Sequence, residues 1–205
     1  MSRRARIGIV DYGAGNLASV HKAFAAIGAE MITCSHAREV DELAAIVVPG
    51  VGHFAATIAI DDEMREAIAR RVEAGVPLLG ICLGMQWLFE GSTEAPEVDG
   101  LGVLRGRCTR IDVVPPLKVP HVGWNALRRA RPSPLMEGVA EGIQVYFTHS
   151  FAISSSDDAV ASAVHGSSFV AAVQREQVCG VQFHPEKSAG AGLRVLRNFV
   201  RMAGA

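Results

Sequence analysis

Val76-Pro77-Leu78-Leu79-Gly80-Ile81-Cys82-Leu83-Gly84-Met85-Gln86 constrains the fold of this chain more than any other stretch. It opens as a short apolar run with the length of a buried strand. It runs through Gly-Ile-Cys-Leu-Gly, and a helix is expected over Met85–Phe89. A glycine two residues before and two residues after one reactive side chain lets the backbone turn sharply from strand to helix, because glycine has no Cβ and tolerates unusual dihedrals. The Cys82 thiol would then stand in the open at the tip of the turn. That is the pattern of a nucleophile elbow, with Cys in place of Ser. Free N–H groups and the positive dipole end of the following helix favour the thiolate, the reactive form of sulfur. The plainer reading is a buried cysteine after a core strand, and a partner elsewhere in the chain decides between the two.

That partner lies in Val178-Cys179-Gly180-Val181-Gln182-Phe183-His184-Pro185-Glu186. Val181–Glu186 reads as a strand running to its end. Alternate residues of a strand share a face, so His184 and Glu186 are expected side by side with Pro185 turned away. Proline cannot donate to a ladder and suits a strand end. An imidazole oriented by a carboxylate and offered to a thiol is the arrangement of covalent catalysis.

Composition narrows the class. At 205 residues the chain supports one large domain, 1–205, and no linker, repeat or low-complexity segment divides it. Hydrophobic residues at 49% and charged residues at 20% describe an ordinary soluble globular protein. A net charge of −1 suggests no nucleic-acid partner and no anionic membrane surface. No apolar run approaches the ~18 residues of a membrane span. Met1–Arg6 is basic, but Ile7–Val10 is far too short for a signal segment, so the start reads as frayed chain before a first strand. Cys34, Cys82, Cys108 and Cys179 are scattered without a C-x-x-C pair, which indicates neither a zinc site nor a disulfide framework. A free catalytic thiol needs a reducing compartment, hence a cytoplasmic location.

The N-terminal half alternates strand and helix. Strands are expected at Ile7–Val10, Met31–Thr33, Ala45–Val48 and into the elbow, and helices at Asn16–Ile27, His53–Ile60 and Met64–Ala74, the last closed by Gly75. That alternation predicts an α/β fold with a central, mostly parallel sheet flanked by helices. Gly13-Ala-Gly15-Asn-Leu-Ala18 fits G-x-G-x-x-A after a strand, so a dinucleotide-binding module using Gly13 and Gly15 is a competing reading. The second strand, however, ends in Cys34-Ser35 without the acidic residue that would hold a ribose. Pro49-Gly50-Val51-Gly52 follows the third strand. Its two glycines flank Val51 and could turn a peptide N–H toward an oxyanion, with Leu83 N–H as the natural second donor. After Phe89 the texture turns β-rich. Glu90–Gly100 reads as a loop, and strand-like pieces follow at Gly102–Ile111, Trp124–Leu127, Gln144–Phe147, Ala159–Val164, Val170–Val173 and Val178–Phe183. Arg128–Arg131 reads as a solvated basic loop, and Gly190–Met202 as a closing helix that buries Leu193, Leu196, Phe199 and Val200. His21, His36 and His165 sit in unremarkable polar settings.

Gly80-Ile-Cys-Leu-Gly-Met-Gln86 with Gln182-Phe-His-Pro-Glu-Lys-Ser188 resembles the triad-type, class I glutamine amidotransferases. Asp11-Tyr-Gly-Ala-Gly-Asn16, Pro49-Gly-Val-Gly52 and His121-Val-Gly-Trp-Asn125 resemble, within them, the glutaminase subunits of imidazole glycerol phosphate synthase, and the likeness covers nearly the whole chain in the family's order. The resemblance implies a flavodoxin-like single-domain fold and a catalytic triad of Cys82, His184 and Glu186. It implies an oxyanion site from Val51 and Leu83 beside Gly52, and a glutamine site from Gly50, Gln86, Glu94, Thr148, His149 and Ser150. It places Asn16, Trp124 and Lys187 toward a (β/α)₈-barrel cyclase subunit in a heterodimer. It implies neither metal nor organic cofactor. Competing readings are a glutaminase serving another synthase and a thiol α/β-hydrolase, although in the latter the acid precedes the histidine on a separate loop.

Overall fold

The computed structural model describes residues 6–204, so Met1–Ala5 at the expected frayed start lie outside the described residues. The strands, in chain order, are β1 Ile7–Val10, β2 Met31–Cys34, β3 Ala45–Val48, β4 Leu78–Ile81, β5 Gly91–Ser92, β6 Ala95–Asp99, β7 Arg107–Arg110, β8 His121–Ala126, β9 Arg128–Arg129, β10 Gln144–His149, β11 Phe151–Ala152, β12 Ala159–His165, β13 Ser167–Arg175 and β14 Val178–Val181. The α-helices are α1 Leu17–Ala25, α2 Asp62–Glu73, α3 Leu83–Trp87 and α4 Ala189–Met202.

β1, β3, β4 and β14 are short, apolar and buried along their whole length, as strands covered on both faces must be. They form the middle of an eight-stranded sheet of order β2-β1-β3-β4-β14-β13-β12-β9. The first five in that order are parallel, and β13, β12 and β9 continue antiparallel. This is a flavodoxin-like order with an antiparallel extension.

The strand pleat sorts side chains between two cores. Ile7, Ile9, Val47, Leu79 and Ile81 pack with Val20 and Phe24 of α1 and Val195, Leu196 and Phe199 of α4. Val10, Ile46, Val48 and Leu78 pack on the other face with Met64, Ala67 and Ile68 of α2 and with Trp87. Local signals set the helix ends. The Asn16 side chain caps α1 by accepting from Ser19 N–H at 3.1 Å, Asp61 caps α2 by accepting from Met64 N–H at 2.8 Å, and Gly75 follows α2 at φ +82°.

Several expectations are corrected. The helix expected over His53–Ile60 is a 3₁₀ turn, Phe54–Ala59, capped by the His53 ring. Glu90–Gly100 is not a loop but contains the β5–β6 pair, in a small sheet with β7 and β11. Only Arg107–Arg110 of Gly102–Ile111 is strand. Arg128–Arg129 is not solvated loop but a short edge strand pairing with β12. The last strand stops at Val181, and Pro185–Lys187 forms a 3₁₀ turn.

Candidate active site

The carboxyl ends of β3, β4 and β14 meet at one edge of the sheet, where open parallel sheets gather their reacting groups. Cys82 directly follows β4 at φ +53°, ψ −105°, a conformation rare for a residue with a Cβ. The strain falls on the cysteine itself, since Gly80 and Gly84 keep negative φ. The glycines are required for space instead. A Cβ on Gly84 would collide with the Val48 carbonyl oxygen, and one on Gly80 would sit 2.6 Å from the Gly84 carbonyl carbon. Backbone of β3, β4 and α3 is therefore in direct contact, and that contact forces the sharp turn. Cys82 is also not in the open. It is 4% exposed and lines a cavity of about 250 Å³. A cavity of that size falls below the roughly 300–1,000 Å³ of pockets for drug-sized ligands and suits a small amino acid.

His184 and Glu186 are brought together by the 3₁₀ turn, not by a strand face. His184 Nδ1 lies 2.7 Å from Glu186 Oε1, both side chains being almost fully buried. β10 clamps this turn. His184 N–H donates to the Tyr146 carbonyl at 2.8 Å, and the Ser188 hydroxyl donates to the His184 carbonyl at 2.6 Å while accepting from Tyr146 N–H at 2.9 Å. Burial would lower the His184 pKa, but the Glu186 carboxylate on Nδ1 and the charge at Cys82 outweigh it and raise the group to about 9, while the buried Nε2 has no hydrogen-bond partner among the described residues. Burial pushes the Cys34 thiol up to about 11, Cys179 up to about 12 and Cys108 further still.

Gly52, Leu83, Gln86, Glu94, Thr148, His149 and Ser150 line the same cavity. Glu94 is held at its wall by Phe54 N–H, at 2.8 Å. His149 offers no free ring nitrogen. Its Nδ1–H donates to the Phe151 carbonyl at 3.0 Å, which leaves Nε2 to accept from His121 Nδ1–H at 3.1 Å. Asn125 in turn contacts His121 Nε2 at 3.2 Å. Burial drives His149 down to about 3 and His121 to about 4, so both stay neutral. His165, read as unremarkable, stacks on His121 with centroids 4.1 Å apart.

Gly50 lies behind the cavity. A Cβ there would collide with the Tyr12 hydroxyl, which donates to the Pro49 carbonyl at 2.7 Å. Gly15 packs on Gly50 as well, so the Gly13–Gly15 turn supports the Pro49–Gly52 segment. Val51 is 37% exposed and is not among the residues lining the cavity. Leu83 N–H is already bonded, to the Gly50 carbonyl at 3.3 Å. Asn16, Trp124 and Lys187 are all exposed outside the cavity. Trp124 meets the Tyr146 ring edge-on at 6.1 Å, and Lys187 Nζ stands 5.7 Å from the same ring. No role is expected from the sequence for His121, Phe151, Gln182 or Ser188. The last two stand within the motif that carries His184 and Glu186, which was the available signal.

The profile of the family "Glutamine amidotransferase class-I" matches residues 8–203. Imidazole glycerol phosphate synthase subunit HisH of Geobacillus kaustophilus (strain HTA426) is 46% identical over 96% of this chain and 97% of that protein. This chain belongs to the class I glutamine amidotransferases, in the HisH family. HisH of Methanothermobacter thermautotrophicus (strain Delta H) is 45% identical over 96% of the chain and 98% of its own length. Among solved structures, a glutamine amidotransferase covers 97% of the chain at TM-score 0.76 and 21% identity, and the PurLQS structure from Thermotoga maritima covers 97% at TM-score 0.76 and 18% identity. These two share the fold. Among the described residues of this amidotransferase, no helix is long and apolar enough to cross a membrane.

Proposed function

We propose that this chain is the glutaminase of an imidazole glycerol phosphate synthase, working through Cys82, His184 and Glu186. The observation that carries the reading is the strained Cys82 at the floor of an amino-acid-sized cavity, with the buried His184–Glu186 pair delivered by the neighbouring parallel strand. His184, oriented by Glu186, takes the Cys82 proton. The thiolate attacks the carboxamide of glutamine, and His184 protonates the departing ammonia. Water then cleaves the glutamyl thioester to glutamate. Gln86, Glu94, Thr148 and Ser150 hold glutamine, and His149 supports the wall through its ring.

Ammonia passes to a (β/α)₈-barrel cyclase subunit. There it completes formation of imidazole glycerol phosphate and aminoimidazole carboxamide ribotide. The exposed Trp124, Lys187 and Asn16 side face that partner, and the reaction takes place in the cytoplasm, where the thiol stays reduced. The test is Cys82→Ala in the assembled complex. Glutamate release from glutamine is expected to vanish while product still forms from added ammonium salt. Retained glutamine-dependent turnover would overturn the triad, and stimulation by a different synthase subunit would redirect the partner.

A further inference from the structure

β14 runs parallel to β4 with Val181 opposite Ile81, so the next residues, Gln182 and Cys82, leave the sheet side by side. The bond from Cys82 N–H to the Val181 carbonyl at 2.8 Å holds that register, and Gln182 N–H is held from the other side by the Ala171 carbonyl of β13 at 2.9 Å. The Gln182 side chain is fully buried, and its Nε2 lies 3.6 Å from Cys82 Sγ. A buried amide can point either end at a neighbour, and here a chain of partners selects the end. The Phe151 carbonyl can only accept, so the Gln86 group 2.8 Å from it is the donor Nε2. That same Nε2 meets Gln182 at 3.1 Å, which must therefore present Oε1. Gln182 is left with its N–H₂ toward the sulfur.

We propose that Gln182 is a further catalytic residue, an N–H donor that stabilises the Cys82 thiolate and is held in that orientation by Gln86 and the Phe151 carbonyl. The inference rests on the reading of Cys82 as the nucleophile. The sulfur has a second neighbour of opposite effect: the Thr148 carbonyl, 3.8 Å away, accepts from the protonated thiol and favours it. Gln182 tips the balance toward the anion, because a donor to a charged acceptor is worth roughly twice a neutral one. It does so without titrating, which leaves His184 free to carry the proton.

The experiment is the pH profile of iodoacetamide alkylation of the full-length chain. Cys82 lines the cavity and the other three thiols do not, and burial raises their pKa, so modification near neutral pH reads Cys82. Gln182→Met keeps length and removes the donor. The acid limb of the profile is expected to move about one pH unit upward, slowing alkylation about tenfold on that limb. Gln86→Met leaves Gln182 present but unsteered and should move the limb the same way by less. An unmoved limb in either folded variant overturns the proposal, even if its thermal stability falls, since packing alone would lower stability without displacing the limb. Failure of the nucleophile reading looks different: His184→Ala would then also leave the limb in place. A limb that moves in His184→Ala and not in the glutamine variants removes only the role of Gln182.

Discussion

Leu83 N–H donates to the carbonyl oxygen of Gly50 at 3.3 Å. That carbonyl shares a planar peptide with Val51 N–H, and the two groups point in opposite directions. Of the two oxyanion donors expected from the sequence, Leu83 N–H is thus occupied and Val51 N–H points away from it. A missing donor of this kind typically costs ~10²–10³ in kcat. Glutamate release by the isolated chain is therefore expected to be about that much slower than in the complex with its liganded cyclase partner. Full activity of the chain alone would show that neither donor is missing.

The pH dependence follows from His184. Its folded-state pKa, about 9, lies above the ordinary value of 6.5. A raised pKa contributes stability that is complete below the unfolded value and is lost as pH rises through the folded one. The melting temperature of the parent protein should therefore fall between pH 6.5 and 9 by more than that of His184→Gln. The alkaline limb of glutamine hydrolysis by the complex should stand near pH 9, and Glu186→Gln should move it to lower pH. An alkaline limb indifferent to Glu186→Gln would show that the carboxylate does not hold the imidazolium.

Gly84→Ala tests the close approach that shapes the elbow. The added methyl meets the Val48 carbonyl, backbone on backbone, where neither side yields cheaply. Overpacking of this kind costs ~1–3 kcal/mol, to be read from urea unfolding. Gly13→Ala meets nothing within 4 Å and carries only the cost of its φ of +79°, so the smaller loss is expected there.

Trp124 is 53% exposed, so Trp124→Ala should scarcely change thermal stability. If it anchors the cyclase, as proposed, truncation should cost ~2 kcal/mol or more of complex affinity, measured by titration. Lys187→Ala should reduce stimulation by the partner while leaving the low basal rate alone. The backbone of Tyr146 holds His184, and its ring faces both side chains, so a docking surface there would sit directly behind the proposed base. Unchanged affinity and stimulation in both variants would move the interface elsewhere.

Much was settled by the sequence itself. The apolar tetrapeptides Ile7–Val10, Ala45–Val48 and Leu78–Ile81 form buried strands because each is a short apolar run with a glycine or proline close to one end and is too short for a helix. Helical spacing and end signals located α1, α2 and α4, and the sequence also indicated that Cys82 follows a strand and that His184 and Glu186 lie together. Tertiary structure decided the rest. Alternation along Val181–Glu186 implied a strand, but the ladder ends with the Gln182 N–H bond to Ala171, and Ser188 and Tyr146 pull the chain into a 3₁₀ turn that makes the same His–Glu contact. The burial of Cys82, the bond from Leu83 to Gly50 and the amide of Gln182 against the sulfur all depend on which strands are adjacent and in what register. Periodicity reports which face a residue occupies; it carries no information about a neighbour far away in the chain, and only pairing of β4 with β14 brings Cys82 and Gln182 together.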